Sequence, residues 1–170
     1  RELGTSTIYP GADKDLLFES RYRHKHQDIS ACDICATSEG PMGMICEQAR
    51  KLTCRELKCD AERSITRQLQ REMLQNVFGR QSNFCPTVHF GKFASGDTVM
   101  KSGEDRDEIA RSEGIIAFEM EGAGVWDNMP CVIIKEISDY ADSHKDKRWQ
   151  GFAAATAAAY MRAFLEGWRQ

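Results

Sequence analysis

Three short polar clusters each follow an apolar run, and together they hold the residues best suited to chemistry: Ser95-Gly96-Asp97, Glu119-Met120-Glu121 and Ser138-Asp139. The runs ahead of them, Pro86–Ala94, Ile115–Phe118 and Cys131–Ile137, have the β-branched and aromatic content of strands. In open α/β sheets, ligands sit just beyond the carboxyl ends of the strands. If the three strands are parallel neighbours, the clusters meet at one edge, and Asp139 stands where a working acid would be placed. Each cluster alone has a plainer explanation. Ser95-Gly96-Asp97 is an ordinary turn signal, Glu119 and Glu121 suit the first turn of a helix, and Asp139 suits an N-cap. Their coincidence is what points to a small-molecule site.

The second cluster suggests a ligand chemistry. Ionised carboxylates only accept hydrogen bonds, so one at a strand end can hold a vicinal diol such as that of a ribose. With a strand's period of two, Glu119 and Glu121 share a face if the strand continues that far. Met120 would then supply an adaptable apolar surface for a sugar or base.

The elements that must position these residues follow in order. Residues 1–30 lack sustained periodicity and read as a long surface connection, with Asp15-Leu16-Leu17-Phe18 as a short patch able to dock on a core. Met44 to Val77 has helical composition, with Ile65, Leu69, Met73 and Val77 in a narrow apolar stripe and Phe78-Gly79 as its stop. Arg106–Glu113 predicts a short helix closed by Gly114. Gly122–Trp126 predicts another, stopped by Asn128 and Pro130. Trp149–Trp168 predicts a long one, whose alanine-rich stretch Ala153–Ala159 suits close packing on a sheet. The chain divides into a connecting segment (1–31), a Cys-rich and helical insertion (32–83) and an α/β part (84–170).

The 170 residues suit one ordinary domain, 41% hydrophobic and 29% charged. A net charge of −3 gives no basic field for nucleic acid, and no apolar run approaches the roughly 20 residues that span a bilayer. The first residue is Arg1 and no signal-like segment follows it, so the expectation is a piece of a longer cytoplasmic protein. The seven cysteines are then expected as reduced thiols. Cys32-x-x-Cys35 with Cys46, Cys54 or Cys59, and His24 or His26 nearby, is a set able to hold zinc. The later spacings do not form a tight second pair, so free thiols are the expected reading and no metal is assigned. His144, Lys145, Lys147 and Arg148 fit either a phosphate contact or, more simply, a solvated loop.

Phe118-Glu119-Met120-Glu121-Gly122-Ala123-Gly124, with Ile137-Ser138-Asp139-Tyr140-Ala141-Asp142-Ser143-His144-Lys145-Asp146-Lys147-Arg148-Trp149, resembles the superfamily of purine nucleoside phosphorylases and methylthioadenosine/adenosylhomocysteine nucleosidases. Val88 to Asp97 and the helix from Ala153 to Tyr160 resemble the branch found as one domain of large fungal proteins, beside nucleotide-binding oligomerisation and repeat modules. The similarity runs over about residues 84–168, and more loosely over 9–35.

The resemblance implies a three-layer α/β fold, a mixed central β-sheet flanked by helices, incomplete here on its N-terminal side. It implies cleavage of a nucleoside N-glycosidic bond, most readily of purine nucleosides, without a cofactor beyond inorganic phosphate as co-substrate in a phosphorylase. Carried over by motif, Asp139 assists protonation of the base, Glu121 binds the ribose hydroxyls, Met120 lines the sugar, and Val99 and Met100 contact the base. Ser138 and Glu119 belong to the same substrate-binding set. The family's opening strands and glycine-rich loop, which supply the phosphate site or the water-activating carboxylate, have no counterpart here, so the segment alone is expected to be inactive. Expected partners are a small nucleoside and other domains of the same longer chain, with room for a homo-oligomer, and neither nucleic acid nor membrane. The alternative is a non-catalytic nucleoside- or nucleotide-sensing module of a multidomain regulatory protein.

Overall fold

In a computed structural model, residues 7–38, 43–67 and 86–168 are described, and they form a mixed α/β arrangement. The elements that matter for the site lie after residue 86. Strand β3 (Lys92–Ser95) pairs in parallel with β4 (Ile115–Glu119), so both chains run toward the same edge. Between them lies α3 (Gly103–Glu113). It starts where the Ser102 side chain accepts from Asp105 N–H, and it ends where Gly114 adopts φ 64°. A left-handed C′ residue is nearly free of steric cost only for glycine, which explains the sharp stop and the immediate return into β4. After β4 the chain turns into the five-residue α4 (Gly122–Trp126), and later into α5 (Arg148–Trp168), the longest helix described.

The N-terminal half is built of shorter pieces. β1 (Leu17–Phe18) pairs antiparallel with β2 (Ser64–Ile65), and two short helices, α1 (Asp33–Ala36) and α2 (Glu47–Lys51), sit between them in sequence. Cys35, Ala49 and Leu57 form a small buried cluster with Cys32, Ile45, Cys46, Leu52 and Cys59 packed around it. Phe18 is 2% exposed, so the apolar patch expected at residues 15–18 does dock. The connecting segment is pinned farther back as well. Trp149 of α5 donates to Lys14 O at 3.1 Å, and Tyr9 lies edge-on to Trp149 with ring centres 5.6 Å apart.

Several expectations are corrected. The strand foreseen over Pro86–Ala94 is shorter, because residues 86–91 are exposed and join no ladder. The third strand, Cys131–Ile137, is not one: the segment joins no ladder, and Val132 is 71% exposed. An apolar β-branched run fits a buried strand or any extended segment laid on a helix, and periodicity cannot separate them. Here residues 134–138 lie along α5, where Ile134, Lys135, Glu136 and Ser138 face Gln150, Ala153, Ala154 and Ala157 across a groove. The alanine-rich face of α5 thus lines this groove and packs on no sheet among the described residues. Among the described residues of Met44–Val77, α-helix is confined to Glu47–Lys51, with one further 3-10 turn at Ala61–Arg63. Of the predicted stripe, Ile65 lies in β2, half exposed, while Leu69, Met73, Val77 and the stop at Phe78-Gly79 lie outside the described residues.

Gly103, the first residue of α3, is buried, and a Cβ there would lie 2.7 Å from Ser20 O and 2.8 Å from Ser20 Cα. Helix propensity favours alanine over glycine by up to about 1 kcal/mol, but overpacking against backbone costs about 1–3 kcal/mol. Gly103→Ala should therefore lower the urea midpoint. Gly167→Ala, with nothing within 4 Å of its added Cβ, should leave the midpoint unchanged or raise it. A stabilising Gly103→Ala would show that α3 does not rest on the Ser20 backbone.

Candidate functional site

The ends of β3 and β4 are joined by a compact set of hydrogen bonds. Gly96 N–H donates to Glu119 O at 3.3 Å, and Ser95 Oγ accepts from Ala123 N–H at 2.8 Å, near the start of α4. Glu119 Oε2 accepts from Glu121 N–H at 3.0 Å and from Gly122 N–H at 2.7 Å. One buried carboxylate thus fixes the turn between β4 and α4. A Cβ at Gly122 would lie 2.5 Å from Glu119 Oε1 and 2.6 Å from Ile133 Cδ1, so any larger residue there would have to displace those side chains. That contact also places the 131–138 segment against the turn.

The turn separates the two glutamates that a continuing strand would have kept on one face. β4 stops at Glu119, and Glu121 has αR backbone angles. Glu119 is buried and Glu121 is exposed. The period-two reading therefore fails at Met120, where the chain leaves the ladder. Lys135 reaches both acids, at 3.5 Å from Glu119 Oε2 and in a direct ion pair with Glu121. This lysine was not foreseen. Its only signal was a charge inside an otherwise apolar run. Burial alone would raise the pKa of Glu119, but the Ser95 hydroxyl, the N–H groups of Gly122 and Glu121, and Lys135 outweigh it and hold the carboxyl below its ordinary range. The Lys135 contact likewise lowers Glu121.

The third cluster is organised differently. Asp139 Oδ1 accepts from Ala141 N–H at 2.9 Å and from Lys145 Nζ at 2.6 Å. Ala141 has φ 52°, a left-handed conformation that an Asx-type turn can hold in a residue other than glycine. The charged partner of Asp139 is Lys145. The loop is tethered on all sides. Arg106 of α3 donates to Tyr140 O at 2.7 Å and lies 3.8 Å from Asp142 Oδ2. Tyr140 donates its hydroxyl proton to Asp15 and lies under the Arg67 guanidinium, 4.9 Å from the ring centre. Burial, with Asp15 beside it, pushes the Tyr140 phenol up. Ser143 Oγ accepts from His24 N–H at 3.0 Å.

Among the other expected site residues, Met120 and Val99 are exposed and Met100 is half-buried. Ser138 faces the groove along α5. Glu136, also unforeseen, lines that groove, and burial raises its carboxyl pKa. The structure thus unites Ser95, Glu119, Glu121 and Lys135 in one network and holds Asp139 in a second. What the first network can do is present an ionised carboxylate, Glu121, at the carboxyl edge of two parallel strands.

A family model described as the Phosphorylase superfamily matches residues 55–166. A protein of Hyaloscypha variabilis named "Nucleotide-binding leucine-rich repeat (NLR)-like protein" is 48% identical over 80 residues, which is 47% of this chain and 8% of that relative. The chain therefore spans less than a tenth of the length of that relative. No solved structure is significantly similar to the chain.

The Glu119 clamp has a pH signature. A carboxylate whose pKa is lower folded than unfolded stabilises the fold above the unfolded value, and that contribution is lost as pH falls through the folded one. Glu119→Gln should cost about 1–3 kcal/mol at pH 7. The stability gap to the wild-type chain should narrow as pH drops below about 4. Urea unfolding at several pH values checks this. A gap that stays constant down to pH 3 would rule out an ionised clamp.

Proposed function

We propose that this chain, which belongs to the phosphorylase superfamily, binds a nucleoside at the joined ends of β3 and β4 and takes part in cleaving its N-glycosidic bond. The observation that carries this reading is the Glu119-held turn. It projects the Glu121 carboxylate, kept ionised by Lys135, from the edge where parallel strands receive ligands. Two ribose hydroxyls can donate to one such carboxylate, and these charge-assisted bonds are of the stronger kind. Met120, exposed beside it, offers the sugar an apolar surface, while Val99 and Met100 follow β3 toward the base.

Breaking the glycosidic bond develops cationic character on the sugar and negative charge on the departing base. An acid placed at the base relieves the second charge, an effect typically worth about 10²- to 10⁴-fold. Asp139 is the residue proposed for that role, held at a fixed angle by Ala141 N–H and Lys145. Purine nucleosides are the favoured substrates, with water or phosphate as the nucleophile. Ala141 N–H and Lys145 both bond Asp139 Oδ1, so the proposed acid is already engaged through that oxygen when the substrate arrives.

A second reading rests on the same lysines. Both acids already have a cationic partner, which suits a module that binds a nucleoside without turning it over. The NLR-like description of the Hyaloscypha relative is compatible with such sensing, with other domains of a longer chain as its partners.

The two readings separate by experiment. Glu121→Gln should weaken adenosine binding about 10- to 100-fold, from the loss of a charged hydrogen bond of about 1.5–3 kcal/mol. Binding of 2′,3′-dideoxyadenosine should hardly change. Equal loss for both ligands would remove Glu121 from the ribose site. Base release from adenosine, inosine and methylthioadenosine, with and without phosphate, can be followed by chromatography. In the complete protein that carries this segment, Asp139→Asn should abolish any release while leaving adenosine affinity within about threefold. A complete protein that binds adenosine and releases no base would favour the sensing reading.

A further inference from the structure

Behind the Asp139 loop, four side chains from three separate segments converge: His24, Cys54, Cys59 and His144 each offer a donor atom, all within 4.8 Å of one another. The Sγ of Cys54 lies 3.4 Å from His24 Nδ1 and 3.5 Å from His144 Nδ1, and Cys59 Sγ lies 3.9 Å from His24 Nδ1. Around a tetrahedral Zn²⁺, with bonds of about 2.3 Å to sulfur and 2.0–2.1 Å to nitrogen, neighbouring S and N donors stand about 3.5 Å apart. Three of the six donor pairs thus stand at or near the spacing that a single zinc ion imposes, and the others lie within 4.8 Å.

The protonation states lead to the same place. His24 Nε2 lies 2.8 Å from Leu52 O, and His144 Nε2 lies 3.1 Å from Tyr22 O. A carbonyl oxygen can only accept, so each Nε2 carries its proton, and a neutral ring then presents a bare lone pair at Nδ1. Both lone pairs face sulfur: Cys54 Sγ lies against each ring, and Cys59 Sγ lies against that of His24 as well. A cation placed among them satisfies both rings and both sulfurs together. A carbonyl bonded to the far ring nitrogen is also the usual outer support of a zinc-bound histidine. Two thiolates, two neutral imidazoles and Zn²⁺ sum to zero charge, so the centre can be buried without an unpaired ion. The thiol protons leave to solvent as the metal binds.

The backbone is shaped for it. Thr53 and Glu56 cap a tight turn, with Glu56 Oε2 accepting from Thr53 N–H at 2.7 Å. Cys59 N–H then closes back on Cys54 O at 2.8 Å. Lys58, at φ 55°, supplies the left-handed step that brings the second cysteine round. Both histidines are buried, and Phe18 stacks on His144 at 4.1 Å between ring centres. Sequence spacing favoured free thiols because half of this donor set, His24 and His144, lies 30 and 90 residues from Cys54.

We propose that His24, Cys54, Cys59 and His144 bind one structural Zn²⁺, and that this centre anchors the loop carrying Asp139 to the N-terminal segment. His144 lies five residues beyond Asp139, so the metal would hold the distal end of that loop. Cys32, Cys35 and Cys46 also gather within 4.8 Å, but three thiols leave a tetrahedral ion one ligand short and are not included.

The test uses the full wild-type chain, purified without chelator and supplied with zinc. Elemental analysis should find at least one zinc per chain. Alkylation mapped by mass spectrometry should find Cys54 and Cys59 protected about 10-fold or more until the metal is chelated, with Cys131 unaffected. Hydrogen exchange across residues 139–146 should quicken on chelation. His144→Ala should lose the protection at both cysteines, while Cys131→Ser keeps it. A zinc-free chain, a Cys54–Cys59 disulfide, or protection confined to Cys32, Cys35 and Cys46 would each overturn the assignment. Unchanged exchange at 139–146 would overturn the anchoring role.

Discussion

The position of Asp139 depends on side chains, because the segment leading to it joins no ladder. A strand in a sheet is placed by repeated backbone hydrogen bonds, each reinforcing the next. Residues 131–138 have no such register, so the loop that follows takes its position from individual tethers. Arg106 grips the Tyr140 carbonyl from α3, Tyr140 reaches Asp15, and Ser143 and His144 meet His24 and Tyr22. Most of these partners come from residues 15–24, more than a hundred positions away in sequence. The N-terminal segment is thereby part of the site's frame rather than a mere connection.

The other half of the site is built by the opposite means. The Glu119 turn is local: donor and acceptor lie two or three residues apart, and the parallel ladder delivers Ser95 to the same point. Such a turn needs little from the rest of the molecule. Its weak side is exposure. Ile116 on β4 and Val132 beyond it are half or more exposed, so this part of the structure presents apolar surface.

This difference in construction explains what could be read from sequence. β4, α3 with its stop at Gly114, α4 and α5 were all legible from local pattern, though the Ser102 cap that starts α3 three residues ahead of the expected Arg106 was not. The convergence of Ser95 with Glu119 was legible too, since parallel strands bring their ends together. The other failures have one cause. Whether Val132–Ile137 pairs as a strand, which charge sits beside Asp139, and how His24 meets Cys54 are all decided by contacts distant in sequence. Lys135 and Lys145 lay in plain view within the motifs, but nothing local says that each turns back on an acid.

The two lysines also bear on how such a site would work. An acid that waits for a substrate while paired to a cation is held in one rotamer, which lowers the ordering cost when the ligand arrives. The same pairing must be loosened for the acid to serve the ligand, which opposes binding. For Glu121 the balance favours the ligand: the pair is largely exposed, so water screens the attraction, and the carboxylate has acceptor capacity left for sugar hydroxyls. For Asp139 the pair is more enclosed, with about a quarter of the Asp139 side chain and 30% of the Lys145 side chain exposed. The attraction there is screened less, and a proton shared with a base has to compete with Lys145. Under the proposed function, sugar recognition would ask little rearrangement of this fold, whereas base protonation would ask residues 139–143 to shift while His144 stays bonded to Tyr22 O.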